Sequence, residues 1–256
     1  MSVVYDIVKK LDSIAPFDTA ESYDNVGLLV GDRFDRVSKA LVCLDITVDV
    51  LDEAKHSDVN LVISHHPVIF DSLKSVTKQN SGIVYDMIRH GISGIAVHTN
   101  LDIALGGVND VLMSKLCLGN RRGLCSVDDM SMGCVGELDR YMSADEFGLY
   151  VKEKLGANGI RYTAGERKIK TVAVCCGSGG FAMEMAMQSR ADAFVTGDVK
   201  HDVFVTAQNQ NFTLVDAGHY ATEIHIVDEL VKMLNAHFDD CVFMTAKSGG
   251  EKVKYI

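Results

Sequence analysis

Three observations predict an α/β fold. Apolar, β-branched runs of strand length alternate with helical patterns; the runs are apolar throughout; and the order of the first half recurs in the second. Runs without alternation suit parallel strands, because helices cover both faces of such a sheet and no side chain meets water.

The opening segment, MSVVYDIVKKLDSIAPFD, has the charge and apolar spacing of an amphipathic helix. SKALVCLDI then reads as a strand, TVDVLDEAKHS as a helix, VNLVISHH as a strand, GIVYDMIRHG as a helix and ISGIAVH as a strand. GGVNDVLMSKLCLG is a helix that opens after glycines. In the second half KIKTVAVCC, ADAFVTGD and NFTLVDAG are strands, separated by the helices GFAMEMAMQSR and DVFVTAQNQ. HYATEIHIVDELVKMLNAHF is a long helix, and CVFMT and KVKYI read as closing strands. VNLVISHH aligns in type with ADAFVTGD, and GISGIAVHTNLD with NFTLVDAGHYATE, so the chain holds two similar α/β halves. The small and polar stretch GLCSVDDMSMGCVGELD marks the boundary. The expected division is 1–125, completed by 235–256, and 126–234, with mostly parallel sheets in two halves that face each other.

Composition narrows the class. Apolar residues make up 47% of the 256 and there are two prolines, so a large core and few long linkers are expected. No apolar run approaches the roughly 18 residues of a membrane helix, and the N-terminus lacks the layout of a secretory signal. A soluble, cytoplasmic protein is expected. Seven cysteines, at 43, 117, 125, 134, 175, 176 and 241, include no CxxC pair, which disfavours disulfides and thiolate zinc. The formal net charge of −10 with no long basic cluster argues against nucleic-acid binding.

In parallel α/β sheets, ligands bind beyond the carboxyl ends of the strands. Four such ends carry polar groups: His65 and His66; His98, Asn100 and Asp102; Asp198, Lys200 and His201; and Asp216, His219 and Glu223. Adjacent histidines can serve one site only if the strand has ended there, and Pro67 supports that ending. His219 and Glu223 lie four apart at a helix start and project from one face. Singly, each group has an ordinary reading as a cap or a solvated face. His56, His90, His225 and His237 are read that way. Together, imidazoles and carboxylates without thiolate suit zinc, iron, manganese, cobalt or nickel, in a number that fits two divalent ions.

YDNVGLLVGD, ISHHPVIF, VHTNLD and DAGHYATE, in that order along nearly the whole chain, resemble the NIF-three-like family, whose members are named GTP cyclohydrolase 1 type 2 homologues. Tyr23 stands where the family usually has tryptophan. The resemblance implies two α/β domains facing each other across a metal-containing cleft that holds a dinuclear centre, without the extra domain of longer members, and a homohexamer arranged as a trimer of dimers. It implies His65, His66, Asp102, His219 and Glu223 as metal ligands, with His98 lining the site as a candidate proton shuttle. Asp24 and Asn25 match its first motif, and Asp198 and His201 are possible cleft residues. The expected activity is metal-dependent hydrolysis of a nucleotide or related small molecule, GTP cyclohydrolase-like or phosphoesterase. The alternative is a non-catalytic metal-binding assembly, metal-chaperone or regulatory module.

Overall fold

The computed structural model describes residues 1–124 and 131–256. In chain order the elements are α1 (Val4–Ile14), β1 (Gly27–Val30), β2 (Lys39–Cys43), α2 (Val48–His56), β3 (Leu61–Ser64), α3 (Gly82–Arg89), β4 (Ser93–Ala96), α4 (Thr99–Ile103), α5 (Val108–Lys115), β5 (Gly119–Gly123), β6 (Cys134–Met142), α6 (Ala144–Leu155), β7 (Arg161–Tyr162), β8 (Ile169–Val174), α7 (Met183–Gln188), β9 (Ala193–Thr196), α8 (His201–Asn209), β10 (Thr213–Asp216), α9 (His219–Glu223), α10 (His225–Asn235) and β11 (Val242–Thr245). The chain divides into two units, Met1–Leu101 with Ile226–Gly250, and Asp102–His225 with Glu251–Ile256. Cys125 and the expected boundary at 125/126 lie outside the described residues. Residues 119–123 belong with the second unit because β5 pairs with β6.

In the first unit the sheet order is β1-β4-β3-β2-β11 among the described residues. β2, β3, β4 and β11 run parallel, and β1 joins antiparallel to β4. The central strand, Leu61–Ser64, is buried at every position, as an apolar run with parallel neighbours on both sides requires. α1 buries Val4, Ile7 and Leu11, which share one helix face. The Thr47 hydroxyl caps α2 by accepting from the Val50 amide at 3.3 Å.

In the second unit the order is β5-β6-β8-β9-β10-β7 among the described residues. β8, β9 and β10 form a parallel centre; β5, β6 and β7 flank it antiparallel. This sheet is therefore more mixed than the expected parallel one. Phe194 and Leu214 fill its core with Ala173, Ala186 and Ala207. α6 begins with a reciprocal cap: the Ser143 hydroxyl accepts from the Glu146 amide, and the Glu146 carboxylate accepts from the Ser143 amide. The expected long helix from His219 is interrupted by a turn at Ile224 and becomes α9 and α10. KVKYI forms no strand; the Tyr255 ring instead lies so close to Gly159 that a Cβ there would sit 2.8 Å from Tyr255 Cδ1.

Candidate metal centre

In the first unit β3 ends at Ser64, so His65 and His66 leave the sheet at its carboxyl end, as the proline predicts. The His65 and His66 amides still pair with the Cys43 and Leu44 carbonyls, which fixes both residues relative to β2. β4 ends at Ala96, and His98 lies between it and α4. The register Ser64↔Ala96 sets the two strand ends side by side. The three imidazoles meet there, with ring centroids 5.0, 5.2 and 5.5 Å apart. Each offers one ring nitrogen, and these lie within 4.8 Å of one another.

The other ring nitrogen is anchored in every case. His65 Nδ1 donates to the Val97 carbonyl at 2.8 Å, His66 Nδ1 to Asp45 at 2.9 Å, and His98 Nδ1 to Asp24 at 2.8 Å. A carbonyl or carboxylate oxygen can only accept, so the hydrogen sits on Nδ1. A neutral ring then carries its lone pair on Nε2, the form in which imidazole ligates a metal. His65 is buried, whereas the side chains of His66 and His98 are 22% and 19% exposed, which leaves the cluster a solvent-facing side.

Asp24 is the most firmly held of these anchors. Its Oδ1 accepts from His98 Nδ1 and from the Asn25 amide at 2.8 Å; its Oδ2 accepts from the Thr99 amide at 3.0 Å and the Thr99 hydroxyl at 2.5 Å. Burial works against the charge. The hydrogen bonds from His98 and Thr99 outweigh it and hold the carboxyl well below the usual range, so Asp24 is an anion. Asn25 braces the same loop through a 2.6 Å bond from its amide to the Ile69 carbonyl.

In the second unit Asp102, on α4, and Glu223, on α9, bring carboxylate oxygens within 4.8 Å of each other. His219 Nε2 lies 3.0 Å from Glu223 Oε2, the one-face placement that the spacing of four predicts. His219 Nδ1 donates to Asp198 at 2.8 Å, the fourth instance of the same anchoring. Cys176 packs among these acids, its thiol donating to Asp102 Oδ1 at 3.1 Å. Burial, reinforced by Asp102 and Glu223, pushes that thiol well above its ordinary pKa and keeps it protonated. Gly177 is required by two constraints at once: its φ is +57°, and a Cβ would meet Glu223 Oε1 at 2.2 Å.

The sequence-selected residues thus gather at two places, His65, His66 and His98 in one unit and Asp102, His219 and Glu223 in the other. His201 is exposed at the start of α8 and joins neither group in the described contacts. His56 and His90 bond carbonyls of their own helices, in keeping with the ordinary reading. Asp45 was missed. The signal that could have found it is the register Cys43↔Ser64, which sets Asp45, two residues past β2, beside His66, two past β3. Cys176, at the end of an apolar run, had no signal of its own. The donor set, imidazoles and carboxylates with no ionised thiolate, fits a divalent ion of the zinc-to-manganese range.

The model of the family Duf34/NIF3 (NGG1p interacting factor 3) matches residues 2–248. A Clostridium acetobutylicum protein named GTP cyclohydrolase 1 type 2 homolog is 33% identical over 227 residues, covering 86% of this chain and 85% of its own. A Clostridium perfringens protein of the same name is 30% identical over 260 residues, covering 98% of each. Among solved structures, a Staphylococcus aureus hypothetical protein is similar with a TM-score of 0.91 at 30% identity, covering 99% of each chain. A Bacillus cereus protein related to NIF3 shares the fold with a TM-score of 0.92 at 21% identity, over 100% of each chain. Motifs, fold and family model converge: this chain belongs to the Duf34/NIF3 family.

Proposed function

We propose that the chain is a dinuclear-metal-dependent hydrolase of a nucleotide or related small molecule, with His65, His66, Asp102, His219 and Glu223 holding the two ions. The observation that carries this is the uniform anchoring of Nδ1 on His65, His66 and His219, which prepares their Nε2 atoms as ligands. The end of an apolar strand has no structural need of two imidazoles, and each is held by an acceptor that sets its tautomer. The name carried by the curated relatives supports a nucleotide as substrate class.

Divalent ions supply Lewis acidity that polarises a carbonyl or phosphoryl oxygen and lowers the pKa of water. The chain itself supplies the proton traffic. His98 Nε2 takes a proton while Nδ1 stays bonded to Asp24, and the Asp24 anion stabilises the imidazolium that results. His66 and His219 are oriented by Asp45 and Asp198, so neither ring must reorganise on binding. Homohexamer formation, which the family resemblance implies, and a cytoplasmic location, which the sequence composition suggests, belong to the same proposal; light scattering of the purified chain checks the first.

The test is a turnover screen over nucleotides, GTP included, and phosphoesters with the metal-loaded chain. His66→Ala and Glu223→Gln should each lower turnover of the substrate found by about 100-fold or more, the upper range for disturbed metal shells. Full turnover in both variants would defeat the proposal.

A further inference from the structure

A cavity of about 340 Å³ opens in the second unit beside His219, lined by Arg161, Asp198, Asp216, Gly218 and Tyr255 with neighbouring backbone. That volume lies within the range of about 300 to 1,000 Å³ typical of small-molecule pockets. The metal-ligand reading uses only one of these residues, Asp198, and only through its bond to His219.

Its polar groups are built rather than incidental. Arg161 Nη2 donates to the Val199 carbonyl at 3.0 Å and to the buried Asp216 carboxylate, and its guanidinium lies 5.1 Å from the Phe204 ring centroid. Those contacts fix the guanidinium plane and leave Nε and Nη1 without an acceptor among the described residues. Asp216 is fully committed, since it also accepts from the Val199 and Gly218 amides. Asp198 is half committed. Its Oδ2 accepts from His219 Nδ1 and the Ser178 hydroxyl, while Oδ1 has no donor among the described residues. Asp198 holds this position at a φ of +50°, a left-handed conformation that costs a residue with a Cβ about 1 kcal/mol. Such strain persists where surrounding structure imposes it, and it gathers at binding sites. Tyr255 adds a ring and a hydroxyl that has no partner among the described residues.

These open valences select a ligand class. A phosphate would meet one guanidinium and two carboxylates, a net negative surrounding, and a cation would meet the guanidinium. A neutral planar group with an N–H beside a carbonyl satisfies both, its carbonyl accepting from Arg161 and its N–H donating to Asp198, with the Tyr255 ring beside it. We infer that this cavity binds the lactam edge of a planar nitrogen heterocycle, with Arg161 and Asp198 as the specificity pair. Its purpose as a substrate subsite rests on the proposed hydrolytic function; the binding itself does not. Because Asp198 also holds His219, occupancy of the cavity reports directly to that ligand.

The probe is inosine, whose ring carries N1–H beside the C6 carbonyl, against adenosine, whose ring reverses donor and acceptor there. Calorimetric titration of the full chain, metal-free and metal-loaded, should show inosine binding at least about tenfold tighter than adenosine, the ratio that one hydrogen-bond mismatch gives, since adenosine is mismatched at both positions. Asp198→Asn should erase that preference, since the carboxamide keeps its oxygen on His219 and turns an N–H to the cavity, which suits adenosine N1 but leaves the adenosine amino group facing Arg161. A merely structural role for Asp198 would weaken both ligands alike. Arg161→Lys, which preserves a cation for Asp216, should weaken inosine about tenfold. Equal binding of the two nucleosides, no binding of either, or competition by inorganic phosphate at comparable concentration would overturn the inference. Metal uptake with no nucleoside binding would remove this site and leave the metal reading standing; nucleoside binding without metal uptake would do the reverse.

Discussion

Asp24→Asn isolates the anchoring of His98 with the smallest change of shape. The carboxylate accepts four hydrogen bonds, two on each oxygen. A carboxamide has a single acceptor oxygen, so whichever way it turns, its NH₂ faces two donors. Two hydrogen bonds are lost in a side chain that is 0% exposed. At about 1 to 1.5 kcal/mol each, the variant should lose about 2 to 3 kcal/mol of stability. For a domain protein of this size that lowers the melting temperature by about 4 to 12 °C. Differential scanning calorimetry measures the shift, and ¹⁵N NMR of the imidazoles reads the His98 tautomer, which should change from Nδ1–H to a mixture. A melting shift below about 1 °C with the tautomer unchanged would refute the reasoning, because it would mean that Asp24 does not hold the ring.

Gly177→Ala should abolish metal uptake while leaving a folded chain, since its Cβ would displace the Glu223 carboxylate and the left-handed φ adds about 1 kcal/mol of strain; circular dichroism and metal analysis distinguish this from unfolding. Glu53 accepts from the Lys247 and Ser248 amides at 3.0 and 2.8 Å and from the Ser248 hydroxyl. Burial opposes its charge, but these bonds prevail and depress its pKa below the ordinary 4.5. Its stabilisation is therefore complete above that ordinary value and lost as pH falls through the depressed one. Glu53→Gln should destabilise the protein at pH 7 by about 1 kcal/mol and flatten its stability loss between pH 5 and 3, read by urea titration. Iodoacetamide at pH 8 should label exposed Cys117 well before buried Cys176, whose thiol stays protonated; mass spectrometry that found Cys176 labelled first would contradict its packing against Asp102 and Glu223.

The parallel strands were legible because burial on both faces writes them as unbroken apolar runs, as in Leu61–Ser64 and Thr213–Asp216. The antiparallel flanks were not. β5 is the polar stretch GNRRG, exposed along much of its length, and β7 is two exposed residues. β1 is four residues inside the familial motif YDNVGLLVGD and carries no alternation. β6 is a long strand, buried towards its start and largely solvated beyond, and its polar residues sat in what reads as a boundary. The site was legible wherever chemistry contradicted its surroundings: two histidines in an apolar strand, a histidine and glutamate one helical turn apart. Asp45 and Gly177 act through backbone register or close approach, which residue type does not announce.

Metal stoichiometry tests the central claim most directly. The chain should be purified anaerobically, exchanged into chelated buffer, and reloaded with zinc, manganese and iron(II) in turn, with metal counted by mass spectrometry. About two equivalents per chain are predicted for the wild type, as a two-ion site requires, with a fall to about one or fewer in His66→Ala and in Glu223→Gln at unchanged secondary structure. Less than about a tenth of an equivalent in the wild type, or equal loading of both variants, would contradict the account.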